Sequence, residues 1–186
     1  MTRAERNPLA AIAFAATLIS VRIVNAQESD EAALVLAQAF VAEAGFDAPQ
    51  DHAAIAHVLG RNAERIGIPL TDYAIRYVSL LRVNADGRHV VQSERAFWVR
   101  GLALDAHRPD GWPANLSWAA HVDRWLATVE RARAYLRGEL ADPCAREAPQ
   151  HWGARTGRDM ERATRAGWVL ARCSAGTRNA VWRVER

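Results

Sequence analysis

Between residues 30 and 137 apolar side chains recur at helical spacing, and most of the runs close on glycine or proline. The clearest run is Leu34-Val35-Leu36-Ala37-Gln38-Ala39-Phe40-Val41-Ala42-Glu43-Ala44, which stops at Gly45. Ser29 or Asp30 is placed to cap it, with Glu28, Asp30 and Glu31 at its positive end. A short loop leads to Asp51, read here as the cap of a second helix over residues 52–66, with Ile55, Val58, Leu59 and Ile66 inward and Gly67 and Pro69 beyond its end. Further helices are expected from Thr71 or Asp72 to residue 81, over residues 94–104, and over residues 117–137, where Trp118, Val122, Trp125, Val129 and Tyr135 fall near helical spacing before Gly138. Residues 84–87 read as a turn and residues 89–91 as a brief strand. From residue 141 the chain reads as loop with one helix over residues 159–166. The expected class is mainly α with at most a small β-hairpin and a loop-rich C-terminal tail.

Within the first helix Glu43 is out of keeping. At about 100° per residue it falls within roughly 60° of Leu36 and Phe40, and far from Gln38 and Glu31 on the polar side. It therefore points toward the core or a cleft cut into it. A carboxyl group in apolar surroundings resists ionisation, so it can hold a proton near neutral pH and deliver it to a leaving group. The plain alternative is a helix-end glutamate that bends back to solvent.

The 186 residues suffice for one domain with a real core. All 24 basic residues are arginine, and against 21 acids the net charge is only +3. The arginines are interspersed with acids, as in Arg158-Asp159-Met160-Glu161-Arg162, so no stripe for nucleic acid stands out. At the start, Arg3 and Arg6, the Ala-rich stretch 9–21 and Val24-Asn25-Ala26 read as an export signal over residues 1–26, giving a periplasmic or secreted protein after cleavage. Arg22 interrupts that pattern and keeps open an uncleaved membrane anchor, or an apolar helix that is not exported. The apolar stretch is shorter than the about 20 residues a membrane span needs. The main domain is expected over residues 27–140, with residues 141–186 as an extension stapled by Cys144 and Cys173. In an oxidising compartment that pair is most simply a disulfide worth about 3 kcal/mol. A zinc site from Cys144, Cys173, His121 and His151 is the alternative, although the spacing fits no compact ligand motif. The reading takes no cofactor and no metal.

Two stretches resemble a known family. Ala39-Phe40-Val41-Ala42-Glu43-Ala44-Gly45, followed by Ala53-Ala54-Ile55-Ala56-His57-Val58-Leu59-Gly60-Arg61-Asn62, resembles the start of lysozyme-like cell-wall hydrolases, particularly the spore-cortex-lytic type. Leu136-Arg137-Gly138, Asp142-Pro143-Cys144, His151-Trp152-Gly153, Cys173, Thr177-Arg178-Asn179 and Trp182 are similar to the tails of phage and proteobacterial peptidoglycan-cleaving domains. The resemblance covers residues 31–186. It implies a lysozyme-like helical fold, peptidoglycan as substrate and partner, and Glu43 as the acid that protonates the bridging oxygen between two amino sugars. The family often carries Gly-Glu shortly after the acid, where this chain has Gly45-Phe46-Asp47.

The mechanism then depends on a second carboxylate. A retaining hydrolase needs one about 5 to 5.5 Å away and an inverting one about 6.5 to 9.5 Å away. Asp47, Asp51, Asp72 and Glu94 are candidates, though the first three also read as turn or cap residues. Without a partner, the substrate's N-acetyl group or 6-hydroxyl can attack while Glu43 serves as acid and then base, as in lytic transglycosylases, and the reading leans this way. Tyr77 with Ser79, Trp112 and Trp152 are expected to line the glycan groove by stacking on sugar C–H faces, and His151 to orient substrate or a loop carbonyl. Trp98, Trp118 and Trp125 read as core. The protein is expected to act as a monomer; the competing readings are a non-catalytic exported glycan-binding or assembly protein, and a phage-type endolysin tethered by its uncleaved N-terminal segment. A nucleophilic hydrolase lacks support: there is no Gly-x-Ser-x-Gly turn and no cysteine in an activating setting.

Overall fold

A computed structural model describes residues 30–78 and 114–185. Helix α1 spans Asp30–Ala44 and α2 spans Pro49–Ile66, the two turned by 119° across the break. Gly45 supplies the left-handed residue that stops α1, at φ 77°, and its N–H returns to the Val41 carbonyl at 2.9 Å. Helix α2 starts earlier than expected because Pro49, which lacks an N–H, fits the first helical position. Helix α3 covers Leu70–Tyr77, and α4 covers Trp118–Leu136 behind a Ser117 cap that accepts from the Ala120 N–H at 3.2 Å. The Gly138 stop of α4 matches the sequence pattern. The expected elements over residues 84–104 lie outside the described residues, as do the N-terminal segment 1–26, Trp98 and Glu94.

Burial is deepest along α1 and α2. Leu36, Phe40, Val41, Ile55 and Leu59 are almost wholly enclosed, joined by Tyr73 and Val78 from the α3 region and by Trp125, Val129 and Ala132 from α4. Alanines at 33, 37, 39, 42 and 56 let these backbones approach closely. Trp125 is core as expected, Trp118 is half-buried against the same cluster, and Ile66, expected inward, is 41% exposed at the last turn of α2.

The C-terminal segment departs from the expected loop. Strands β1 (His151–Gly153), β2 (Trp168–Leu170) and β3 (Ala180–Val184) form an antiparallel sheet in the order β1-β3-β2. Helix α5 (Arg158–Arg165), in agreement with the sequence, and a 3-10 helix (Arg172–Gly176) connect them. Two strands have three residues each, too short for a period-2 pattern to stand out from loop, and their pairing is set by non-local contacts. Trp152 pairs with Val181 and His151 with Trp182. Alternation along the strands then divides the side chains between the two faces. Trp152 and Val181 pack with Ala54 and Val58 of α2, whereas Ala180 and Trp182 pack with Ala163 and Met160 of α5. The sheet is thus held between α2 and α5. Among the described residues the architecture is mainly α with this small sheet.

The disulfide joins Cys144 to Cys173, with Cα atoms 5.3 Å apart and the two residues 29 positions apart in sequence. It consumes both thiols, so the alternative zinc set loses its sulfur ligands. Replacing both cysteines by serine should lower the unfolding free energy by about 2 to 4 kcal/mol in urea denaturation. An unchanged midpoint would mean that packing alone fixes this segment.

Candidate functional site

Glu43 sits half-buried one residue before the end of α1. The last turn of a helix is its negative end, so a carboxylate there needs a donor. Trp152 provides one: its indole Nε1–H donates to Glu43 Oε2 at 3.0 Å, across 109 residues of sequence. An indole N–H can only donate, which fixes that oxygen as an acceptor and orients the carboxylate. The backbone of the same residue is held too, since Asn179 Nδ2 donates to the Glu43 carbonyl at 3.2 Å.

Asp51 secures the loop that carries Asn179. It is only 3% exposed, and its two oxygens accept from the Arg178 and Asn179 backbone N–H groups at 2.9 and 2.8 Å. Starting α2 at Pro49 puts Asp51 inside the first turn rather than at the cap, which corrects the expected cap role. The loop is braced from its other side by the Arg155 guanidinium, which donates to the carbonyls of Ser174, Thr177 and Arg178. Thr177 Oγ1 donates to the Asn179 carbonyl at 2.7 Å.

Beneath the α1–α2 turn lies His52, fully buried and stacked on Phe40 with ring centroids 5.0 Å apart. Its Nε2–H donates to the Gly45 carbonyl at 2.6 Å, while Nδ1 has no hydrogen-bond partner among the described residues. Burial lowers its pKa to about 4, helped by the nearby Arg131 and opposed by the Gly45 bond, so the ring is neutral near pH 7. Over the turn, Phe46 meets His121 edge-on at 4.7 Å, and Asp47 pairs with Arg124 of α4 at 3.6 Å. Nothing in the local sequence joins His52 to Glu43, but its spacing from Ile55 and Leu59 places it on the inward stripe, a signal the sequence reading did not use.

The sequence-derived site residues do not all gather around Glu43. Trp152 does. His151, its neighbour on β1, lies on the opposite sheet face, stacked on Trp168 at 3.6 Å with Arg162 also over that indole. Burial, then Arg162 and Arg65, push the His151 pKa below its usual value. Tyr77 ends α3, 49% exposed, with its ring 4.4 Å from Tyr73. Ser79 and Trp112 lie outside the described residues. Of the candidate second carboxylates, Asp51 is committed to backbone N–H groups, Asp47 pairs with Arg124 at the surface, and Asp72 is exposed in the first turn of α3. The chain matches no family model, no curated protein and no solved structure.

Removing the Asp51 carboxylate strands two backbone donors in a buried position. Asp51→Ala should therefore lose about 3 kcal/mol or more in urea unfolding, and a loss below about 1 kcal/mol would mean that Arg155 and Thr177 suffice to hold the loop. His52 sets a pH dependence. Its folded-state pKa of about 4 lies below the unfolded value of 6.5, so the unfolded chain binds the proton first as pH falls. The His52 contribution to stability is constant above about pH 6.5 and declines toward pH 4, by roughly 3 kcal/mol in all. Thermal unfolding at stepped pH should show this slope, and His52→Gln should flatten it; equal slopes would assign the acid sensitivity to other groups.

Proposed function

We propose that the protein cleaves the glycan strands of peptidoglycan outside the cytoplasm, as a lysozyme-like domain with Glu43 as its acid and base. The observation that carries the reading is the hydrogen bond from Trp152 to Glu43, because it joins the two stretches whose sequences most resemble cell-wall hydrolases. A half-buried carboxylate at a helix end, oriented by an indole donor and backed by a braced loop, has the character of a positioned acid.

In the one-glutamate chemistry, the Glu43 carboxyl gives its proton to the bridging oxygen as the bond from that oxygen to the anomeric carbon breaks. The carboxylate then takes the proton of the substrate's 6-hydroxyl while that oxygen bonds to the anomeric carbon, leaving an anhydro sugar. With water in place of the hydroxyl, the product is a reducing end. The commitments of Asp47 and Asp51 favour the version that needs no second protein carboxylate.

A second reading rests on the same hydrogen bond. If the Glu43 carboxylate serves only to brace α1 against β1, the domain binds glycan or a partner protein without cutting it. Glu43→Gln separates the two, because the amide oxygen still accepts from Trp152 while the proton-transfer role is gone. Catalysis predicts unfolding stability within about 1 kcal/mol of wild type and a fall in soluble fragments from purified peptidoglycan of about 100-fold or more. Mass spectrometry of the fragments distinguishes anhydro from reducing ends. Release by neither protein supports the brace, whereas equal release by both would mean that the chain cuts glycan without Glu43 as its acid.

A further inference from the structure

The basic surplus of this chain is not spread evenly. Residues 141–186 hold nine arginines against five acids, although the whole chain carries only +3. Part of that surplus rims a cleft of about 750 Å³ beside the disulfide, where Arg146, Arg172 and Arg183 face Asp142 and Glu147.

Both acids are already engaged. Asp142 receives Arg61 Nη1 at 2.5 Å. The two Glu147 oxygens accept from the Arg172 backbone N–H at 2.9 Å each, and Arg183 Nε lies 3.9 Å from Oε2. Arg183 also pairs with Glu185 at 2.9 Å. The guanidinium groups of Arg146 and Arg172 have no acidic partner among the described residues. Their backbones are nevertheless fixed with respect to each other. Arg146 lies in the turn that contains Cys144, and Arg172 opens the 3-10 helix that contains Cys173, so the disulfide and the Glu147 bonds tie the two together.

We propose that this cleft binds an anionic group, a carboxylate or a phosphate, between the side chains of Arg146 and Arg172, with Arg183 at its edge. Planar guanidinium groups present paired donors matched to either oxyanion, and holding their backbones in place lowers the ordering cost of using both. The volume lies within the range of small-molecule sites, so the anion can be part of a larger ligand such as an acidic peptide or a phosphorylated sugar. The site does not depend on Glu43, and its test is separate from that of the glycan-cleaving reading.

The test is an NMR titration of the full chain with inorganic phosphate and, separately, with citrate, following the arginine Nε–H resonances. Saturation at a Kd of about 1 mM or tighter, with the shifts centred on Arg146 and Arg172, supports the site. Stronger binding of one probe identifies the oxyanion class it prefers. The double variant Arg146→Gln/Arg172→Gln should weaken binding at least about tenfold, while Arg158→Gln/Arg165→Gln on α5 should leave it unchanged. Absence of saturation with both probes, or equal weakening in the two double variants, overturns the proposal, the latter because diffuse charge would then explain the binding.

Discussion

Two backbone N–H groups and one buried carboxylate hold the helical part of this protein to its sheet. Asp51, in the first turn of α2, accepts from the backbone of residues 178 and 179. A charged side chain this deeply enclosed is tolerable only with good hydrogen-bonding partners, and here the two partners come from the loop that precedes β3. The α2 backbone and the sheet are thereby set in one position relative to each other. Trp152 can then reach Glu43 from β1, and Asn179 can reach the Glu43 carbonyl from the loop.

The sheet divides the chemistry between its faces. One face packs on α2 through Trp152 and Val181 and faces the helical core and Glu43. The other packs under α5, where His151, Trp168 and Trp182 associate through their rings. Neighbouring positions 151 and 152 therefore have different surroundings, although in the sequence they form a single short motif. The arginine-rimmed cleft depends on another linkage, the disulfide between the turn at 143–147 and the 3-10 helix.

The helices were legible because their signals are local. The glycine stops at 45, 67 and 138 act over three or four residues, and the apolar stripes of α1 and α4 repeat often enough to be read. Glu43 was legible as a candidate for the same reason, being a carboxylate on the apolar side of a regular helix. The sheet was not legible: strands of three residues contain too little alternation, and their partners lie tens of residues away in sequence. Asp51 could be read as a cap because acids favour helix starts, but whether it caps its own helix or receives a distant loop depends on what packs there.

The sequence by itself determined where α1, α2, α4 and α5 form, that Trp125 enters the core, and which cysteines are available to pair, since capping, periodicity and composition are properties of neighbouring residues. Only the tertiary structure decided that Trp152 meets Glu43 while His151 does not, that Asp51 binds a loop more than 120 residues away, and that two arginines with no acidic partner among the described residues share a cleft. Those outcomes rest on the pairing of β1 with β3 and on the packing of the sheet against α2. Both join residues whose separation in the chain leaves no mark on the local pattern of either.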